Sequence, residues 1–569
     1  MVYQIYPRSF FDANGDGIGD LPGITAKLDY LKALGVDVVW LGPHYDSPGV
    51  DNGYDVRDYR RVWAVFGTMS DFDRLLAAMH ERGMRLVVDL VVNHTSDQHR
   101  WFAQSRSSRD SPYRDYYIWR DGRAGGGPPN NYPSLFGGSA WELDATTGQH
   151  YLHYFAPQQP DLNWDNPKVR AEVVDVMRFW LDKGVAGFRM DVIALVSKQT
   201  GLPDLTPEQL RQPEAVYASG PRIHEHLRYL RREVLAPYDA VAIGEAVGVR
   251  MEDTPLFVDA RRGELSMLLP FDIVRMDRDG WRQRPWTLPR LKALYTRIDG
   301  APGEHGWNAS FLGNHDSPRA VSNFADDSPR WRARSAKALA TLVLTQRATP
   351  FLYQGDELGM TNYPFERIEQ YDDVEAKTLW RTLVETGRVP AGELLAHLRR
   401  TSRDHARTPM QWNASPHAGF TSATPWLAVH PNFLEVNAEA QVADDDSVFH
   451  HCRRLIALRK RMPVLVHGAY RDIDPAHPRV FAYTRTLRDE AVLVLILFGS
   501  DPLDYVLPEG LRVQEMLLDN GARDVTVAAE RRIALSPWQA TLYRCGGVAH
   551  ADGALTPPSP TAPTGAPLR

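Results

Sequence analysis

A (β/α)8 barrel with a loop-rich insert after its third strand and a C-terminal antiparallel β domain is the fold class that this sequence predicts. Three observations predict it. Short apolar runs alternate with amphipathic stretches over most of the 569 residues, which is the pattern of βα units around a parallel sheet. Ionisable residues stand just past the ends of successive runs, where such a barrel assembles its site. The alternation stops after His94, resumes near Pro167 and gives way to short alternating strands from about Ala469.

Strand-like residues begin at Val2, so a short lead-in is expected ahead of the first strand; the later runs are Val38 to Leu41, Arg85 to Val92, Gly187 to Val192, Val241 to Ile243, Leu265 to Leu269, Ser310 to Leu312 and Pro350 to Tyr353. Past their ends come Asn93 and His94, then Asp191, Glu245, Asp272, His315 with Asp316, and Asp356 with Glu357. The expected organisation is a barrel over 1–93 and 168–468, an inserted domain over 94–167, a β domain over 469–545 and a tail over 546–569. The insert is rich in Gly, Asn and Tyr (GRAGGGPPNNYPSLFGGSAW). A second irregular excursion, from about Met360 to Pro425, contains a helical segment and is expected over the same barrel face. The tail, ADGALTPPSPTAPTGAPLR, is too rich in Pro, Ala and Thr to bury a core and reads as disordered.

Composition excludes several classes. The net charge is −6, with no block of like charge to form an arm for nucleic acid. No apolar stretch reaches membrane-spanning length, and MVYQIYPRSF lacks a basic region followed by an apolar one. Two cysteines, Cys452 and Cys545, rule out a disulfide framework and read as ordinary thiols. A cytoplasmic monomer acting on a small-molecule substrate, with no nucleic-acid or membrane partner and no organic cofactor, is the expectation.

Two motifs carry chemistry from their residues alone. DANGDGIGD gathers side-chain oxygens at Asp12, Asn14, Asp16 and Asp20 with the Ile18 carbonyl between them, a donor set for a hard cation such as Ca2+. It is not an EF-hand: the twelfth position is Gly23 and no helix pair flanks the loop. In GFRMD, Arg189 stands two residues before Asp191, so both side chains share one strand face and the guanidinium keeps the carboxylate ionised. With Glu245 and Asp316, Asp191 completes three carboxyls on one rim, the parts of a retaining glycosidase: nucleophile, acid/base and a group that braces an oxocarbenium-like transition state. His94 and His315 complete a polar ring able to bond sugar hydroxyls.

The segments DLVVNH, QPDLN, GFRMD, GEA and FLGNHD, in that order, resemble the α-amylase superfamily, glycoside hydrolase family 13, from Val2 to about Arg544. DSPGVDNGYDV, MTNYPF, TSRDHARTPMQW and DANGDGIGD resemble its subgroup of oligo-1,6-glucosidases, dextran glucosidases and sucrose isomerases. The resemblance implies Asp191 as nucleophile, Glu245 as acid/base and Asp316 as transition-state stabiliser, with His94, Arg189 and His315 holding the glucosyl unit. It implies that Asp55 and Arg403 pair to close the pocket, giving exo action, and that the metal loop is a structural Ca2+ site. Val192 resembles enzymes preferring α-1,6 linkages, where α-1,4- and sucrose-acting relatives usually carry Ala or Thr. Sucrose isomerases resemble this chain in RMDRD, from Arg275 to Asp279, and in the stretch from Arg319 to Pro364; of their two clamp phenylalanines Phe271 matches one, while Val247 stands at the other. The expected activity is retaining, exo-acting hydrolysis of α-1,6- and other α-linked glucosides of short oligosaccharides. A sucrose isomerase is the alternative, and a non-catalytic interaction module of this fold a remote third.

Overall fold

The computed structural model describes residues 1–521 and 531–546. Its centre is an eight-stranded sheet built from β1 Val2–Ile5, β2 Val38–Leu41, β3 Arg85–Val91, β4 Gly187–Asp191, β5 Val241–Glu245, β6 Met267–Leu269, β7 Ala309–Ser310 and β8 Thr349–Tyr353. The strands run parallel in the order β6-β5-β4-β3-β2-β1-β8-β7, and a parallel bridge between Leu268 and Asn308 joins the two ends. The sheet is thus a nearly closed barrel. Strands buried on both faces read as continuous apolar runs rather than alternating ones, which is why they stand out in the sequence. Their ends differ from the expected ones where burial and pairing part company: Phe311 and Leu312 are buried beyond β7 without extending it. β5 runs on to include Glu245, and β4 stops at Asp191 because Val192 has already turned.

The helix Pro167–Lys183 returns the chain from the insert to the barrel. The Asn166 side chain caps its first turn, and Val169, Val173, Met177 and Trp180 pack inward. At the start of β4, Gly187 has φ +151, and a Cβ there would lie 2.1 Å from the Val241 carbonyl oxygen on β5. Only glycine lets the two strands approach so closely.

Between β3 and that helix, the insert folds around a three-stranded antiparallel sheet of Trp119–Arg120, Gln149–Leu152 and Trp141–Asp144. Lys198 ties it to the barrel: Nζ donates to Asn93 Oδ1 at 2.7 Å and lies 2.6 Å from Asp161 Oδ2. The second excursion holds helices Val374–Leu379, Ala391–Thr401 and Asp404–Arg407 on a small apolar cluster of Phe365, Tyr371, Leu394 and Leu398. The C-terminal domain is a five-stranded antiparallel sheet with a separate strand pair, Leu503–Val506 with Arg532–Leu535. Its last strand, Ala540–Gly546, includes Gly546, one residue past the expected boundary; the rest of the expected tail, 547–569, lies outside the described residues. Both cysteines are free and buried.

Candidate active site

Strand register assembles the first half of the site. β3 and β4 pair Asp89 with Arg189 and Val91 with Asp191, while β4 and β5 pair Arg189 with Ile243. The buried Arg189 guanidinium therefore sits among three carboxyls from three adjacent strands. Nη1 donates to Asp89 Oδ1 at 2.8 Å and to Asp191 Oδ1 at 2.6 Å; Nη2 lies 2.6 Å from Glu245 Oε2. That same Oε2 accepts the Val192 N–H at 2.9 Å. Val192 has φ 34 and ψ 38, a left-handed conformation that costs a β-branched residue about 1–3 kcal/mol.

Asp89 and Asp191 are both raised by burial, against the pull of the one guanidinium they share. Burial raises the Asp191 carboxyl well above the ordinary range; Arg189 opposes this, while Glu245 and Asp89 add to it.

The second half comes from the loop after β7 and from the excursion over the barrel mouth. Asp316 Oδ1 accepts from Arg407 Nη2 at 2.8 Å and Arg403 Nη1 at 3.1 Å, and Oδ2 lies 3.1 Å from His315 Nε2. Burial alone would raise this carboxyl, but His315, Arg403 and Arg407 outweigh it and hold Asp316 well below the ordinary range. His315 is itself fixed. Its ring stacks between Tyr54 and Tyr6, Gln4 Nε2 lies 2.7 Å from Nδ1, and Tyr54 Oη lies 2.5 Å from Nε2. The Gln4 amide thus meets Nδ1, while Nε2 is the nitrogen turned to Tyr54 and Asp316. Burial pushes His94 down to about 3, so it is a neutral ring, held by the Tyr54 carbonyl at 3.1 Å and Gln159 at 3.2 Å.

The expected pairing of Asp55 with Arg403 is corrected by this geometry. Asp55 is fully buried and turned inward, accepting from Ser47 Oγ and from the backbone N–H groups of Val50 and Asp51, each within 3.0 Å. It braces a loop. The acids beside Arg403 are Asp373, whose Oδ2 accepts from Nε at 3.0 Å, Asp316, Glu375 at 3.6 Å and Asp51 at 3.7 Å. Two aspartates flank Asn-Gly-Tyr in DNGYD, and only the turn of the chain decides which of them faces the pocket. Burial pushes Asp51 up to about 7 against the pull of Arg403 and Arg407.

Several ionisable residues at strand ends stay outside the site. Glu357 is buried and accepts from Tyr3 at 2.7 Å and Tyr30 at 2.8 Å; Asp356 accepts from the Tyr353 N–H at 3.1 Å; Asp272 is exposed. Of the remaining expected positions, Val247 and Phe271 are buried, and Phe271 meets Phe311 edge-on at 6.2 Å with the Arg275 guanidinium 5.3 Å over its ring. In RMDRD, Asp277 is fully buried. Residues that the sequence reading missed are Asp51, Tyr54, Asp89, Gln159, Asp373 and Arg407.

In the DANGDGIGD loop, Asp12 accepts from the N–H groups of Gly15 and Gly17, Asp20 from those of Ala13, Asn14 and Gly23, and Asp16 from that of Ile18. Gly17 has φ +93, and a Cβ there would lie 2.1 Å from the Thr424 carbonyl oxygen, so the loop is wrapped tightly. Among the described residues, no three His, Cys, Asp or Glu side chains converge as metal ligands. The donor chemistry is nonetheless all oxygen, and a carboxylate that accepts two amide hydrogens keeps further lone pairs for a hard cation.

The family model for the alpha amylase catalytic domain matches residues 4–468. The chain is 49% identical to an oligo-1,6-glucosidase of Parageobacillus thermoglucosidasius, with 96% of this chain and 98% of the relative covered. Among solved structures it is similar to an isomaltulose synthase of Erwinia rhapontici bound to sucrose, at 54% identity and TM-score 0.95, covering 96% and 98%. It is likewise similar to a trehalulose synthase of Pseudomonas mesoacidophila, at 53% identity and TM-score 0.94, covering 96% and 98%.

Proposed function

The chain belongs to the α-amylase family, and on that premise we propose that it is a retaining, exo-acting α-glucosidase that hydrolyses α-1,6- and other α-linked glucosides of short oligosaccharides. The observation that carries this reading is the single guanidinium of Arg189 shared by Asp191 and Glu245 at the ends of neighbouring strands, with Asp316 held on the loop after β7. Near-full-length relatives named oligo-1,6-glucosidase support it.

In the proposed sequence, Glu245 gives its proton to the glycosidic oxygen as Asp191 attacks the anomeric carbon. The C–O bond breaks, a glucosyl ester forms on Asp191, and the rest of the sugar leaves. Water then attacks the same carbon, returns a proton to Glu245 and displaces Asp191, so glucose departs with its configuration retained. Asp316, held as an anion, braces the positive charge that develops on the ring. Arg403, Asp373 and Asp51 wall off the far side of the pocket, which supports exo action. The test is to incubate the protein with isomaltose, isomaltulose, maltose and sucrose and to resolve the products by chromatography. Isomaltose left intact would sink the reading.

A second reading, sucrose isomerisation, is favoured by the structural neighbours, whose identity exceeds that of the glucosidases. Isomerisation requires fructose to stay in the site and water to stay out. Val247 cannot stack on a sugar as an aromatic ring would, so sucrose is expected to yield mainly glucose and fructose. Val247→Phe is expected to raise the isomer fraction severalfold, read in the same chromatogram. If the wild type turned most sucrose into isomaltulose or trehalulose, the isomerase reading would replace the first.

We assign Ca2+ to the DANGDGIGD loop, where Asp12, Asn14, Asp16, Asp20 and the Ile18 carbonyl would hold it as a structural ion. A ligand bound only by the folded state adds about 2.7 kcal/mol at a hundredfold excess over Kd. Chelation is therefore expected to lower the melting temperature, with recovery on adding Ca2+. An unchanged melt, with no metal in the purified protein, would remove the assignment. The reading also places the enzyme in the cytoplasm as a monomer; the two buried free thiols support that compartment, and light scattering tests the oligomeric state.

A further inference from the structure

We propose that the peptide N–H of Val192 is the positioning element of the acid/base, and that it assigns the transferable proton to Glu245 Oε1. The inference rests on the glucosidase reading and adds an atom-level division of labour to it.

Three observations carry it. Val192, a β-branched residue, follows the nucleophile directly yet is held at φ 34 and ψ 38, where such residues rarely sit. That peptide directs its N–H onto Glu245 Oε2 at 2.9 Å, and the next turn is closed by the Leu195 N–H on the Val192 carbonyl at 2.8 Å. Oε2 is also 2.6 Å from Arg189 Nη2. Unusual backbone at a functional site calls for a function that over-determines it. Here the turn connects the two reacting carboxyls through one peptide: Asp191 contributes its carbonyl carbon and Val192 its nitrogen.

The proton assignment follows from donor counting. Val192 brings its hydrogen to Oε2 and the Arg189 guanidinium lies 2.6 Å from the same oxygen, so Oε2 is the accepting atom. A proton on the neutral acid must then reside on Oε1, which has no hydrogen-bond partner among the described residues. In the first step the Oε1–H bond breaks, the proton goes to the glycosidic oxygen, and the charge left on Glu245 is met by the Val192 N–H and the Arg189 guanidinium already in place. In the second step water returns its proton to Oε1 while its oxygen bonds to the anomeric carbon. An incidental strain, tolerated only for packing, would leave the leaving-group chemistry unaffected.

The test replaces Val192 by its α-hydroxy acid counterpart through nonsense suppression, exchanging N–H for O and keeping the side chain. Losing one hydrogen bond to a charged group is expected to lower kcat/KM for isomaltose by about 10- to 100-fold. For a nitrophenyl α-glucoside, whose leaving group needs little protonation, the loss is expected to stay within about threefold. Equal losses on both substrates, or none, would overturn the proposal; wild type that leaves isomaltose intact would instead overturn the glucosidase reading. Should the ester protein fail to fold, neutron diffraction on Glu245→Gln decides. The amide oxygen is expected to face Val192 and Arg189, with the NH2 group at the Oε1 position, and the reverse orientation refutes the assignment.

Discussion

Asp191→Asn is expected to abolish turnover and leave the barrel folded. The amide keeps the shape of the side chain and still offers an oxygen to Arg189, but it cannot form the glucosyl ester. Removing one member of a catalytic set that acts as a unit commonly costs about four to six powers of ten in kcat. The melting temperature should hold or rise, because the substitution takes one negative charge out of a cluster in which Asp89, Asp191 and Glu245 share a single guanidinium. Residual activity within about tenfold of wild type would remove Asp191 from the nucleophile's role.

Arg189→Ala is expected to combine an equally deep loss of activity with a loss of stability. Arg189 is 1% exposed and supplies the only guanidinium bonded to Asp89, Asp191 and Glu245 among the described residues. Deleting one partner of a buried charge cluster costs about 3–5 kcal/mol because the remaining charges stay desolvated. Part of that loss would be recovered by proton uptake. Burial already raises Asp191, with Arg189 as the chief opposing influence. Without it the nucleophile's carboxyl would move further up, so turnover would fall by at least about a thousandfold and any residue of it would grow toward alkaline pH. A melt unchanged from wild type, with activity intact, would show that the cluster is neither stabilising nor catalytic. Arg189→Lys separates charge from geometry: a point charge can face only part of what the planar fork reaches.

Much of this was legible in the sequence, for a physical reason. Parallel strands buried on both faces leave continuous apolar runs, so β3, β4 and β5 and the acids at their ends stand out. Asp89 lay in plain view as the one charge among the apolar residues of LVVDLV, yet only the register with Arg189 gives it a role. Asp51 was mistaken for Asp55 because both flank the same short turn. Asp373, Arg403 and Arg407 come from a segment of short helices without a sustained period, so which of its charges reach the pocket is settled by tertiary packing alone. Glu357 misled for the opposite reason: a strand-end acid can be consumed by two tyrosines.

The wall of Arg403, Asp373 and Asp51 also bears on how a longer chain would be shortened. On the proposed exo-acting reading, the pocket beside these three residues has one opening. The outgoing oligosaccharide, the incoming water and the released glucose must all use it in turn, and the shortened chain has to leave before the ester can be hydrolysed and the sugar freed. Degradation is therefore distributive: every molecule of a mixed population would lose one unit before many lose two, and processive trimming is closed off by topology rather than by weak binding.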